Sequence, residues 1–303
     1  MDSTESFLKT VLERVRGYLD DADFEAKYND QYLLQHIIMP SIVDVQARLV
    51  LNADNPVVNR FNVSLVAQQE CYTLPPCVGE VLRVCKFGDN NQDDGVPTED
   101  YKPRGMFSVG GPIWSLEGNM LCFKPYPTNA EDVTVLYISN GDMRPHYYDH
   151  SGATNVNKGY LTTTSTFKLS DTPTLGLLDK RPHSYVGSVL RLYGSTTHEE
   201  RIISAYDVAT RVATVKRPFT LTAAFNYDYE VAPNNFQSLT EAVTLASAIK
   251  LGAWRKISQA HHTLLVEQYR MALKTITDNL ANMQARTGKS WQKDTLDNPD
   301  WRP

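Results

Sequence analysis

The residues best suited to chemistry lie in the segment His146-Tyr147-Tyr148-Asp149-His150, the densest polar and aromatic cluster of the chain. Two imidazoles and a carboxylate can together bind a metal ion, because histidine nitrogens and carboxylate oxygens are common metal ligands. The same residues also suit an exposed linker that leads into a separate module. We favour the linker, and we predict no metal site in the chain.

Three other short patterns resemble functional motifs but lack a required member. Gly288-Lys289-Ser290 resembles the end of a phosphate-binding loop, which needs a glycine five positions earlier, where this chain has Met283. His261 and His262 are adjacent, so on a helix they point about 100° apart and cannot chelate one ion. His198 lacks the second histidine of a zinc-protease motif. We therefore predict that the chain is not an enzyme, with no catalytic residues and no cofactor.

Composition and charge indicate an ordinary globular protein. The chain has 303 residues, of which 42% are hydrophobic and 21% are charged, and its formal net charge is −5. Residues 1–150 carry 12 Lys and Arg against 22 Asp and Glu, residues 151–240 carry 9 against 7, and residues 241–303 carry 9 against 6. This is not the concentrated basic face of a dedicated nucleic-acid-binding protein. It suits a protein that meets DNA in passing or contacts another protein electrostatically.

The sequence does not show the patterns of a membrane span, a signal peptide or a zinc site. No apolar run approaches the ~18 residues needed to cross a bilayer, and the first residues do not resemble a signal peptide. The cysteines show no zinc-ligand spacing, so we expect reduced, half-buried thiols. The four cysteines are Cys71, Cys77, Cys85 and Cys122.

Helical patterns mark both ends of the chain. Apolar stripes predict a first helix to about residue 19 and a second over about residues 30–51, which Pro40 either kinks or divides. A capping box at residues 238–241 begins a third helix, and a fourth is expected over about residues 260–287. The fourth carries one narrow apolar seam that can pack along a neighbouring helix. The seam consists of Leu265, Tyr269, Leu273, Ile276, Leu280 and Met283.

Between these ends the sequence is typical of β structure. Six short strands are predicted between residues 61 and 139, and Glu117-Gly118-Asn119 between two apolar runs predicts a hairpin. Five further strands between residues 160 and 231, the first over residues 160–169, indicate an inserted module, which we interpret as a small closed barrel because closure removes exposed sheet edges.

Three segments, in this order, resemble the head-to-tail adaptor (connector) proteins of tailed phages. The first places Tyr72-Thr73-Leu74-Pro75 after a polar turn and before a valine-rich strand. The second has Gly118-Asn119, then an apolar strand that ends in Pro125-Tyr126-Pro127. The third is the bracket of helices around the strands. The inserted module is also similar to a strand–turn–strand pattern of phage virion proteins, although residues 195–198 replace its usual glycines.

The resemblance implies an α+β fold, in which N- and C-terminal helices form a helical bundle around a small antiparallel β-sheet, with an inserted small β-barrel. Residues 1–142 and 236–288 would form the adaptor core, residues 143–235 the barrel-like domain, and residues 289–303 an extended tail. The implied protein is a structural component of the virion at the portal–tail junction, made in the cytoplasm of the bacterial host. It would form a homo-oligomeric ring, usually of twelve subunits, around a channel for DNA.

The partners implied by the resemblance are the portal protein, tail nozzle or tail-fibre proteins, and genomic DNA passing through the channel. No membrane insertion is expected. The tail would dock on the portal, with its two tryptophans as anchors, since large aromatic side chains dominate interface energetics. The expected docking residues are Lys289, Trp291, Lys293, Asn298, Trp301, Arg302 and Pro303.

Three other classes of function stay open at this point. The chain could be another tail component, such as a nozzle, tail-tube or decoration protein. A tail-borne glycan hydrolase is disfavoured, because no catalytic constellation is evident. A glycan-binding virion protein is suggested by tyrosines of the inserted module, although we favour core packing as their explanation, because aromatic residues are common in strands. These are Tyr147, Tyr148, Tyr160, Tyr185, Tyr193, Tyr206, Tyr227 and Tyr229.

Overall fold

The structure is a computed structural model that describes residues 6–18, 28–52, 58–87, 97–103, 113–140, 142–150, 155–195, 197–233, 236–255 and 257–287. Its α-helices are α1 (Phe7–Tyr18), α2 (Asp30–Leu33), α3 (Met39–Asn52), α4 (Phe236–Arg255) and α5 (Gln259–Thr287). The four predicted helical regions are therefore confirmed. In the described part of the chain, no helix combines the length and apolarity that crossing a bilayer requires.

The second helical region continues through Pro40 without a break. A π-helical segment, Leu34–Ile38, joins α2 to α3, and the Met39 N–H donates to the carbonyl of Leu34, five residues back. Proline has no N–H to donate and crowds the preceding turn, so a wider turn just before it relieves the conflict. The helix thus accommodates Pro40 by a π-bulge instead of ending there.

Seven strands form the first sheet. They are β1 (Val58–Leu65), β2 (Cys71–Thr73), β3 (Val78–Phe87), β4 (Pro97–Pro103), β5 (Ile113–Glu117), β6 (Met120–Lys124) and β7 (Glu131–Ser139). Their order is β1-β7-β3-β4-β5-β6-β2, and the β4–β5 pair is parallel. The predicted hairpin is confirmed between β5 and β6. Its loop begins at Gly118, whose φ of +63° is a conformation that glycine adopts without strain.

Nine strands form the second sheet, and all of them lie between His146 and Ala232. They are β8 (His146–Tyr148), β9 (Tyr160–Thr163), β10 (Thr166–Lys168), β11 (Leu175–Gly176), β12 (Val189–Tyr193), β13 (His198–Asp207), β14 (Val212–Val215), β15 (Phe225–Asn226) and β16 (Asp228–Ala232). Their order is β11-β8-β16-β12-β13-β14-β10-β9-β15. The long strand β13 joins two halves, because residues 198–202 pair with β12 and residues 203–207 pair mainly with β14.

The two sheets share one hydrophobic core. Tyr137 of β7 is 1% exposed, and its hydroxyl lies 3.6 Å from the Sγ of Cys77. That sulfur in turn approaches the carbonyl oxygen of Val186, just before β12, at 3.8 Å. The ring of Phe61 on β1 contacts the His183 ring in a tilted arrangement, with ring centroids 5.2 Å apart. The first sheet therefore packs directly against the segment that leads into strand β12 of the second sheet.

A separate helical core covers the second sheet. Side chains of α1, α3, α4 and α5 pack on one another and on Tyr147, Val189 and Ala232 of the sheet. Phe7 of α1 and Phe236 of α4 meet edge to face, with ring centroids 6.1 Å apart. The helices therefore form a layer on a large sheet.

The predicted fold class is wrong. The molecule is rich in β structure, and its helices are not a terminal bundle around a small antiparallel sheet. The inserted region is not a small five-stranded barrel either, since its strands belong to a nine-stranded sheet whose end strands, β11 and β15, do not pair with each other within the described ranges. The helices bury their apolar stripes on each other and on one face of this sheet, so they form a layer and not a bundle around a sheet.

The expectation of four reduced thiols is wrong for two of them. Cys71 and Cys122 form a disulfide across the antiparallel pair β2–β6, where they are direct register partners. Cys77 and Cys85 are free and buried, as expected for small apolar side chains.

Candidate functional site

The predicted helix-packing seam of α5 lies mostly inside the chain's own helical core. Leu265 is 1% exposed and Ile276 5% exposed, and Tyr269 and Leu273 also pack in this core. The guanidinium of Arg48 on α3 lies 5.9 Å from the Tyr269 ring. The side chains of Leu280 and Met283 lie outside the described residues. At its described positions the seam is thus covered by α3 and α4 of the same chain.

Two large apolar side chains of α5 lie outside its buried seam and are exposed in the described part of the chain. Leu264 is 51% exposed and Met271 is 70% exposed. They are seven residues apart, or about two helical turns, so they share one face. Helix α5 has 29 residues, which gives a rod about 40 Å long. The structure therefore presents a long helix with one face buried and, on its exposed side, two large apolar side chains with Glu267 and Gln268 between them.

The portal-docking residues predicted in the tail lie outside the described residues. These residues are Lys289, Trp291, Lys293, Asn298, Trp301, Arg302 and Pro303. The segment Gly288-Lys289-Ser290, whose sequence resembles the end of a phosphate-binding loop, also lies outside the described residues. Their role stays a prediction.

A buried carboxylate fixes the start of the helical layer to the second sheet. Glu230 of β16 is fully buried, and it accepts the backbone N–H groups of Phe7 and Leu8 at 2.9 Å and the Ser6 hydroxyl at 2.7 Å. The first N–H groups of a helix have no partner within the helix, and they carry partial positive charge. Glu230 therefore caps α1 from a distant strand.

A buried arginine completes this network. Arg191 of β12 is 1% exposed, and its guanidinium lies 3.6 Å from Glu230 and 2.9 Å from Glu200. It also faces the ring of Phe236, 4.7 Å from the centroid. The hydroxyl of Tyr193 donates to Glu230 at 3.1 Å, and burial, followed by the Glu230 charge, raises the pKa of that hydroxyl. This network positions α1 and α4 on the sheet.

Sequence reasoning missed both members of this ion pair. Arg191 is the single charged residue of the strand Val189–Tyr193, and Glu230 lies among apolar and aromatic residues in the strand that Asp228 begins, Asp228–Ala232. Charged residues in such strands are rarely buried unless they are paired, so the pattern was a usable signal. It could not have revealed that the helix partner lies at residues 6–8.

A cavity of about 280 Å³ lies beside this network, between α1 and the sheet. Helix α1 lines it with Lys9 and Glu13, and the sheet contributes Tyr147, Tyr193 and Asp228. The Lys9 ammonium lies 4.1 Å from the centre of the Tyr147 ring, a distance suited to a cation–π contact. The lining combines aromatic rings with both signs of charge, which suits a polar ligand better than an apolar one.

The polar and aromatic segment His146–His150 is split between strand β8 and the residues that follow it. His146 is fully buried between the rings of Tyr185 and Tyr229, with centroids 5.1 and 5.5 Å away. Burial lowers its pKa to about 4. Asp149 and His150 instead follow the strand towards the surface. The two histidines therefore do not share a site, and the expected linker begins with a buried strand of the second sheet.

The tyrosines that suggested glycan binding are mainly core residues. The buried ones are Tyr147, Tyr185, Tyr206, Tyr227 and Tyr229. The remaining three are only partly exposed. This distribution favours core packing as the explanation of most of them.

Comparison with protein-family models gives no match, and neither does comparison with curated proteins.

Proposed function

We propose that this chain is a structural virion protein, a ring-forming adaptor between the portal and the tail of a tailed phage. Its ring of identical subunits surrounds a channel through which DNA passes. The proposal starts from the ordered resemblance of three segments to such adaptors. It concerns shape and self-association, and it assigns the chain no enzymatic activity.

The observation that carries the proposal is the pair of exposed large apolar side chains on α5. A ring requires a head-to-tail interface in which two different surfaces of each subunit meet. Large apolar side chains held on a rigid helix suit such an interface, because association removes their apolar surface from water. Leu264 and Met271 lie on a helix whose opposite side is anchored in the subunit core.

The Glu230 network supports the same proposal. A subunit that transmits contact between portal and tail needs its helices held firmly on its sheets. Buried hydrogen bonds to a charged group are among the stronger local interactions in proteins. The capping of α1 by Glu230 and the pairing of Arg191 supply such a connection.

Electron microscopy of the purified chain, alone and mixed with its portal protein, tests the proposal. The adaptor function predicts closed rings, expected to hold about twelve subunits, that stack coaxially under the portal. Rings that do not bind the portal would instead indicate another tail component. A chain that stays monomeric at micromolar concentration, with and without the portal, would contradict the proposal.

A further inference from the structure

Three side chains with metal-binding atoms converge where strand β8 ends. Asp149 and His150 follow β8 directly, and Asp228 begins the neighbouring strand β16. One ligand atom of each residue lies within 4.8 Å of the other two. The Nδ1 atom of His150 contacts a carboxylate oxygen of Asp228, and the His150 backbone N–H donates to the same oxygen at 2.9 Å.

The strand register explains why residues so distant in sequence meet. Tyr148 is paired with Tyr229, so the residues that leave β8 come alongside the residue that enters β16. The Asp149 backbone N–H also donates to the Thr174 hydroxyl at 3.0 Å. The backbone of the cluster is therefore held on both sides before any ligand binds.

We propose that Asp149, His150 and Asp228 bind a divalent first-row transition metal ion, such as Zn²⁺ or Co²⁺. An imidazole nitrogen among the ligands favours these ions over Mg²⁺ and Ca²⁺, which prefer oxygen ligands alone. The ion takes the place of the proton between His150 and Asp228. Two carboxylates and a neutral imidazole together offset its charge of +2.

Access and an open coordination position support the assignment. The His150 and Asp228 side chains are 27% and 30% exposed, so an ion from solution can reach them. Three protein ligands leave a fourth tetrahedral position for water or another group. Asp228 also lines the 280 Å³ cavity beneath α1, so this position lies next to space that can hold a small polar molecule.

The site requires nothing from the adaptor function, and its test is independent of ring formation. Titration of the full-length chain with CoCl₂, followed by visible absorption, and with ZnCl₂, followed by calorimetry at pH 7.5, should give one ion per chain. His150→Ala should lower the affinity at least tenfold, because it removes the only nitrogen ligand. Asp149→Asn should also weaken binding.

The control is His262→Ala, which removes a partly exposed histidine of α5 and should leave binding unchanged. Circular dichroism checks that each variant is folded. If His150→Ala does not fold, Asp149→Asn decides the question, because the Asp149 side chain lies at the surface. Absence of binding at millimolar metal, or equal affinity in the wild-type chain and the Asp149 and His150 variants, would overturn the proposal.

Discussion

The carboxylate of Glu230 accepts the backbone N–H of Leu8 at 2.9 Å, so a residue of strand β16 caps the first helix of the chain. Side-chain caps are usually local, supplied by the residue just before a helix. Here Ser6 occupies the local position, and its hydroxyl also donates to Glu230. The helical layer and the second sheet are therefore joined through one buried acid.

Replacement of Glu230 should strongly destabilise the fold. Glu230→Ala removes the acceptor for the start of α1 and takes one of two carboxylates from the buried Arg191. Loss of one partner of a buried ion pair costs about 3–5 kcal/mol. Denaturant unfolding measures this cost as a change in the free energy of unfolding. Glu70→Ala is the control, since its ion pair with Lys124 is about half exposed and should contribute at most about 1 kcal/mol. Equal costs at both positions would contradict the central role of Glu230.

Adjacent leucines on α5 should differ sharply in their contribution to stability. Leu265 is buried in the helical core, whereas Leu264 is half exposed. Leu265→Ala should lower the free energy of unfolding by about 2–5 kcal/mol, because it creates a cavity. Leu264→Ala should change it by no more than about 0.5 kcal/mol. Thermal and urea unfolding of the two variants measure the contrast, and similar losses would show that α5 is packed differently.

Stability should fall in mild acid because of His146. Burial lowers its pKa to about 4, whereas an unfolded histidine titrates near 6.5. Between these values the unfolded chain binds more protons, so the free energy of unfolding decreases as pH falls from about 6.5 to about 4. The decrease attributable to this residue is about 3 kcal/mol. Above pH 6.5 its contribution is constant.

Urea unfolding across this pH range tests the effect of His146. His146→Phe retains an aromatic ring in the same aromatic surroundings and should remove this part of the pH dependence. His261→Ala, which changes a partly exposed histidine of α5, should leave it in place. A pH profile unaffected by His146→Phe would show that other groups cause the acid sensitivity.

The exposed apolar side chains of α5 should be needed for ring assembly and not for folding. Met271→Asp places a charge where 70% of the side chain is exposed, so it should weaken subunit association at least tenfold with little change in unfolding. Native mass spectrometry or mass photometry counts the subunits. Thr263→Asp, at an exposed position of the same helix, is the matched control and should form rings. Intact rings of the Met271 variant would remove the main support for the adaptor proposal.

The C-terminal tail should be dispensable for folding but required for binding to the portal. A chain without residues 291–303 should fold and form rings, yet fail to bind portal-bearing heads, because Trp291 and Trp301 are the proposed anchors. Co-sedimentation with purified portals measures this. A full-length Trp291→Ala, Trp301→Ala variant separates loss of the anchors from loss of the segment. Undiminished portal binding by the truncated chain would refute the docking role.

Local patterns predicted the elements far better than their assembly. The apolar stripe of α1 and the Gly118 hairpin depend on residues close together in sequence, and both predictions are confirmed. The capping box predicted at residues 238–241 is wrong, because α4 begins at Phe236 and the Thr240 hydroxyl donates to the Phe236 carbonyl inside the helix. The strands β11 and β15 each have two residues, too few for any periodicity to show. The predicted strand over residues 160–169 is a hairpin of β9 and β10. Because these strands are so short, the sequence pattern did not predict the nine-stranded sheet.

Contacts across the chain were beyond the reach of sequence spacing. The Cys71–Cys122 disulfide joins residues 51 positions apart, and only the pairing of β2 with β6 brings them together. The Asp149, His150 and Asp228 cluster likewise depends on the register between β8 and β16. In both places the residue types were visible, but their partners were set by sheet topology.

The cap on α1 also has a consequence for protein synthesis. Glu230 follows Leu8 by 222 residues, so a ribosome that adds about 5–20 residues per second needs roughly 10–45 s to deliver the acid after the helix. During that interval the emerging helix lacks its final acceptor and exposes the apolar stripe meant for α4. Helix α1 thus leaves the ribosome well before the strand that completes its cap.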